Sequence, residues 1–117
     1  MTIVEIELKN KRTLPTGGSG PIDPARLKHA RIEFENNQVR VVRVRVGPRE
    51  TVPMHEHSLN RVAVFLTEHD FKVTNDDGKV ETPKHKAGDI GFSGAAKHKE
   101  ENLSDKSFEV LVVELKR

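Results

Sequence analysis

Pro53-Met54-His55-Glu56-His57-Ser58-Leu59-Asn60-Arg61, PMHEHSLNR, is the stretch on which the reading of the chain turns. Side chains alternate along an extended strand, so His55 and His57 project to the same side. At roughly 3.3 Å per residue their Cα atoms lie about 6.5–7 Å apart, and two imidazoles at that spacing can converge on one ion. Taken alone, a motif this short is better read as two ordinary polar residues at a strand start. Arg61 shares the parity of the histidines. If the strand runs on without a bulge, a guanidinium that cannot lose its proton shares their side and needs an anion.

Working outward, the dominant period is two. Gln38 to Val46, QVRVVRVRV, places Val42, Val44 and Val46 on one face and Val41, Arg43 and Arg45 on the other. Val62 to Leu66 is an apolar run of strand length. FKVTNDDGKVET, residues 71–82, reads as a hairpin with Asp77-Gly78 in the turn. Phe108 to Leu115, FEVLVVEL, is β-rich and apolar on both faces. Asn36-Asn37 reads as a tight turn, and Pro48, Pro53 and Pro83 are expected in the links between strands. The one helical signal is Asp23 to His29, a capping Asp followed by Pro, sufficient for a single turn. Thr16 to Pro21, TGGSGP, reads as loop. Residues 1–26 are expected to form an N-terminal arm with an edge strand in IVEIEL, and residues 27–117 an all-β sandwich or barrel.

Composition narrows the function classes. The 117 residues suffice for one domain with one core. The 20 basic and 18 acidic residues alternate in sign, and five Phe stand without Tyr or Trp, so neither a basic patch nor a stacking platform for nucleic acid is present. There is no cysteine, which excludes disulfides, thiolate zinc sites and cysteine nucleophiles. No apolar run reaches membrane-span length and no signal-type segment opens the chain, so a soluble, cytoplasmic protein is expected.

A second stretch changes the reading of the histidines. In KAGDIGFSGAAKHKEEN, residues 86–102, Gly88-Asp89 opens a turn into a short strand, a glycine-containing turn returns the chain, and His98 follows with Asn102 four residues on. An H-x-H strand, a hairpin, a G-D turn and a third His followed by x-x-x-Asn resemble the two motifs of the cupins. The resemblance covers roughly Gln38 to Leu115 and is to the small single-domain branch of that superfamily. It implies a double-stranded β-helix, or jelly-roll, barrel. It also implies that His55, His57 and His98 hold one divalent transition metal, with iron, manganese, nickel and zinc among the candidates. Two positions depart from the family pattern. Arg61 stands where the first motif usually carries Glu, and Gly94 to Ala96 replace the Pro-x-Gly before the third His.

Arg61 has three resolutions: a bulge near Ser58 to Asn60 that turns it outward, an internal pair with Glu100, or service as a clamp for an anionic ligand. Glu100, in phase with His98, is the expected partner of Arg61; alternatively it replaces the missing carboxylate as a fourth metal ligand. His29, His69 and His85 are expected to be solvated surface imidazoles, and Phe65 and Phe92 to pack in the core. The pairs Arg43/Arg45 and Lys84/Lys86 read as solvated faces.

Two functional readings follow. In one, the metal serves a small-molecule enzyme, a dioxygenase-like oxidoreductase or an isomerase. In the other, the barrel binds an anionic small molecule without turnover, with or without metal. The last strand carries Phe108, Val110 and Val112 on one face and Leu111, Val113 and Leu115 on the other. A barrel interior covers only one of these, so a two-fold homodimer is expected, with Ile3, Ile6 and Leu8 of the arm available to cover the second.

Overall fold

The structure is a computed structural model that describes Glu5 and residues 24–116. The arm's edge strand, the TGGSGP loop and the apolar arm residues Ile3, Ile6 and Leu8 lie outside the described residues. After a 3₁₀ turn at Pro24–Arg26 come ten strands: β1 (Ala30–Glu35), β2 (Val39–Val46), β3 (Thr51–His57), β4 (Asn60–Phe65), β5 (His69–Asn75), β6 (Val80–Glu81), β7 (Lys84–His85), β8 (Ile90–Ser93), β9 (Ala96–Asn102) and β10 (Phe108–Leu115). They form two facing sheets. One has the order β1-β2-β10-β4-β8. The other has the order β3-β9-β5-β6, with β7 also pairing β5. No helix among the described residues is long and apolar enough to cross a membrane.

Turn chemistry sets the links. Asn36 Oδ1 accepts from the amides of Gln38 and Val39, closing the β1–β2 turn. Gly78 and Gly88 adopt φ of 88° and 93°, a region that a Cβ disfavours. At Gly88 the turn is held by its amide on Phe65 O and by Asp89 Oδ2 on the Lys86 amide. The inner faces follow the period of two: β10 buries Phe108, Val110, Val112 and Glu114, and β2 buries Arg40, Val42 and Val46. Val46, Val52, Phe65, Phe71, Val73, Phe108, Val110 and Val112 make one apolar cluster.

Two expectations fail at strand level. Pro53 lies within β3, where the register against β9 shifts between Val52 and His55. Val52 and His55 are three positions apart, so a regular strand would send them to opposite faces. The bulge adds one residue and both are buried. A proline suits that point because it has no N–H to offer a ladder. Second, Arg61 is not on a continuation of the histidine strand. Ser58 and Leu59 carry the chain from one sheet to the other, and Arg61 points inward from the opposite wall.

The outer face of the five-stranded sheet is apolar along a full row. Phe34 faces Val41, Val41 faces Val113, Val113 faces Val62, and Val62 faces Phe92. Phe92 is 68% exposed and Phe34 53%, so Phe92 is not in the core as expected. Its neighbour Gly91 takes the inward position, and the Phe65 ring fills the space there, 3.8 Å from where a Cβ would stand.

Candidate metal centre

His55 and His57 come from β3 and His98 from β9, and the two strands pair with His55 directly opposite His98. All three imidazoles are buried. Their ring centroids form a nearly equilateral triangle of 4.8, 4.9 and 5.0 Å, with the planes inclined by 72–80°. Glu100 lies on the same strand and phase as His98. Its Oε1 is 3.0 Å from His98 Nε2 and 3.5 Å from His55 Nε2. One donor atom from each of the four residues falls within 4.8 Å of every other.

The donor set fits a metal. His55 Nδ1 lies 2.7 Å from Pro53 O, which can only accept. Nδ1 therefore carries the proton, and Nε2 turns a lone pair toward His57 Nε2, 3.1 Å away. His98 Nε2 is buried and finds no hydrogen-bond partner, since Glu100 is close but misaligned. Three buried imidazoles meeting at one carboxylate are a donor set that a divalent cation can hold together. A metal about 2.1 Å from each donor would hold donors roughly 3.0–3.4 Å apart; the His98–Glu100 and His55–His57 separations, 3.0 and 3.1 Å, meet that range.

Charge around the set is ordered by cross-strand register. Arg40 of β2, Glu114 of β10 and Arg61 of β4 occupy one inward row, with Glu114 directly opposite both arginines. Glu114 accepts from Arg40 Nε at 2.7 Å and from Arg26 Nη1 at 3.3 Å. Its Oε2 also lies 3.9 Å from His57 Nδ1. Arg61 Nη1 donates to Gly94 O at 2.8 Å. No ion pair within 4.0 Å joins Arg61 to Glu100 among the described residues. The expected Arg61–Glu100 pair is therefore replaced: Glu100 turns to the imidazoles of its own sheet, and Arg61 is held at the opposite wall by a backbone carbonyl.

Burial pushes the His57 imidazole down to about 4, with Glu114 opposing and the charges of Arg26 and Arg61 assisting. It is thus neutral and a competent ligand at neutral pH. For Glu100, burial alone would raise the carboxyl, but the adjacent His55 and His98 imidazoles outweigh it and hold the group well below the carboxylate range. The His57 shift sets a pH dependence. Its folded value lies below the unfolded value of 6.5, so the unfolded chain binds the proton more readily. Stability is complete above pH 6.5 and falls as the pH drops toward 4. Metal-free protein should lose about 3 kcal/mol across that window, read by urea unfolding at a series of pH values. A flat profile between pH 7 and 5 would place the ring in water.

Three histidines expected at the surface are not there. His29 is buried and its Nδ1 donates to Arg45 O at 3.2 Å, beside the 3₁₀ turn. His69 is 2% exposed among Phe65, Phe71 and Phe108, with Nδ1 on Thr67 O at 2.9 Å. His85 is half-buried and stacked on Phe65 at 3.9 Å. Packing against aromatic side chains holds His69 and His85 at strand ends, with a backbone carbonyl capping His69 and Asp89 beside His85. Arg26, Arg40 and Glu114 were not anticipated as site residues. Strand parity with Val42 and Val112 was the available signal for the last two, whereas Arg26 lies off any strand. A cavity of about 460 Å³ adjoins the centre, lined by Arg26, Arg61, the three histidines and Glu100 at one part and by Val44, Val52, Ala63 and Phe65 elsewhere.

The fold is the double-stranded β-helix seen in solved cupin structures. A cupin domain from Bordetella pertussis Tohama I superposes with a TM-score of 0.71 at 22% identity, covering 86% of this chain and all of that one. An RmlC-like cupin from Methanocaldococcus jannaschii matches at 0.59 and 16% identity over 97% of this chain and 92% of that one. The polyketide cyclase RemF from Streptomyces resistomycificus matches at 0.59 and 16% identity over 75% of this chain and 64% of that one. No protein-family model and no curated protein sequence matches the chain.

Proposed function

We propose that this chain is a small metal-dependent cupin that binds one divalent transition metal through His55, His57, His98 and Glu100 and converts a small molecule in the adjoining cavity. The supporting observation is the convergence of three buried imidazoles and a carboxylate, one donor atom of each within 4.8 Å of every other. Iron, manganese, nickel and zinc all suit nitrogen and carboxylate donors. When bound, such a metal supplies Lewis acidity, and a redox-active one supplies oxygen activation. The chain does the rest. Pro53 O fixes the His55 tautomer, Glu114 lies beside His57, and the valine and phenylalanine walls exclude water. Dioxygenase-like oxidation and isomerisation are the reaction classes this arrangement serves. RemF shows that a protein of this fold carries a cyclase activity. A second reading, anion binding without turnover, draws on the two arginines that line the cavity.

Elemental analysis of untagged protein tests the first reading. Near-stoichiometric metal is expected. His98→Ala should abolish it, and His85→Ala, outside the donor set, should leave it intact. Protein that takes up no metal under any loading refutes this reading. Dioxygen uptake with catechol-like and diketone substrates then separates the reaction classes.

We also propose that two copies pair through the Phe34–Val41–Val113–Val62–Phe92 row, which leaves an apolar surface facing outward. Light scattering should give twice the 13.2 kDa chain mass at micromolar concentration, and Phe92→Glu should reduce it to that of the monomer. A monomer in the unmodified protein refutes the pairing.

A further inference from the structure

The interior holds more positive than negative charge. Among the described residues three guanidiniums, Arg26, Arg40 and Arg61, face two carboxylates, Glu114 and Glu100. Both Glu114 oxygens are already taken, Oε1 by Arg40 and Oε2 by Arg26. Glu100 is committed to His55 and His98. That leaves Arg61 with a neutral carbonyl, Gly94 O, as its hydrogen-bond partner. Arg26 is 3% exposed, and its Nη2 is buried with no hydrogen-bond partner at all. Both arginines line the same cavity as the metal donors. A guanidinium stays protonated in any protein environment, so burying two of them short of acceptors is costly until an anion arrives. A divalent metal would enlarge the surplus by two charges and leave it uncompensated.

We infer that Arg26 and Arg61 form a two-armed clamp for the carboxylate of a small organic acid whose apolar body lies against Val44, Val52, Ala63 and Phe65. The guanidinium fork matches two coplanar carboxylate oxygens. The walls beyond it are aliphatic and aromatic, which suits a hydrocarbon body and offers little to a fully polar ion such as phosphate. Arg26 stands on the 3₁₀ turn that enters the barrel, so the clamp closes from two separate parts of the chain. The inference deepens the proposed function by naming its substrate class, and it rests on that reading for the site but not for the metal.

Calorimetric titration with benzoate, on chelator-treated and on manganese-loaded protein, tests it. Benzoate should bind both forms, while benzyl alcohol, of similar shape but neutral, should bind neither measurably. Arg61→Gln should weaken benzoate by about ten- to a hundredfold, the worth of a hydrogen bond to a charged group. Arg26→Lys keeps the charge opposite Glu114, so the fold is retained while the fork is lost, and affinity should fall by about tenfold. Arg43→Gln, on the outer face, should leave binding unchanged. Equal binding of benzyl alcohol, tighter binding of inorganic phosphate, no benzoate binding, or benzoate affinity indifferent to both arginine substitutions would each overturn the clamp. Metal uptake without benzoate binding sinks the clamp and spares the metal reading. Benzoate binding to protein that never takes up manganese, iron, nickel or zinc does the reverse.

Discussion

Glu114→Ala is expected to destabilise the fold by about 3–5 kcal/mol, more than any other single truncation of a charged side chain here. Glu114 is buried between Arg40 and Arg26 and lies directly opposite Arg61 in register. Removing it leaves the guanidiniums of that row with Glu100, on the far sheet, as the remaining interior carboxylate among the described residues. Its own ionisation reports the same energetics. Burial would raise the carboxyl, but the nearby His57 imidazole, the hydrogen bond from Arg40 and the charges of Arg26 and Arg40 bring it down to about 2. A folded value below the unfolded 4.5 contributes stability that is complete above pH 4.5 and is lost as the pH falls toward 2. That contribution amounts to about 3 kcal/mol. Urea unfolding at pH 7 measures the variant. A loss under about 1 kcal/mol, the range of solvent-exposed pairs, would mean that water reaches the row.

Asn102→Asp should cost a comparable amount, about 3–5 kcal/mol at pH 7, for a different reason. Asn102 is 2% exposed, and its Nδ2 donates to Lys106 O at 2.7 Å, Gly47 O at 3.0 Å and Val46 O at 3.3 Å. Its Oδ1 accepts from the Ser104 amide at 2.9 Å. The side chain thus ties the end of β2 to the β9–β10 turn, and an amide is the group that can donate to carbonyls and accept from an amide at once. A carboxylate of the same shape would set negative oxygen against three carbonyl oxygens. The deficit relative to the unmodified protein should shrink at pH 4, where a protonated Asp regains a donor. An Asn102→Asp protein as stable as the parent at pH 7 would show that these carbonyls have other partners.

Much of this interior was legible in the sequence. Alternation in β2 and β10 and the Asp77-Gly78 turn were enough for an all-β barrel, and the resemblance of the two histidine stretches to the cupin motifs put the three rings inside it. Asn102 was visible as part of the second motif, though its bonds are structural. The charged row was also written in the parity, because Arg40 shares the phase of Val42 and Glu114 that of Val112. It is obscured because a charged side chain at a strand end is ordinarily solvated, and the partner that makes its burial tolerable lies 74 residues away. Arg26 could not be seen at all, since no period fixes where a 3₁₀ turn places its side chains. His69 and His85 defeated a surface expectation because packing on phenylalanines, with a backbone carbonyl at His69 and a carboxylate beside His85, can substitute for water.

The bulge at Pro53–Met54 makes the facing of the candidate metal donors a matter of local register as well as residue identity. Met54 is 37% exposed, and exposure alone would class it as an undemanding position. A regular strand of the same length is another matter. Alternation after Val52 would then turn the imidazoles of His55 and His57 toward solvent, with Glu56 entering in their place. Every candidate ligand would still be present in the sequence, and none from β3 would face the cavity. Deleting Met54, by contrast, makes the offset from Val52 to His55 even, so a shortened strand without the bulge keeps both rings inward. Chains with the same motif but a different strand length before the first histidine can therefore reach the same arrangement through a different backbone.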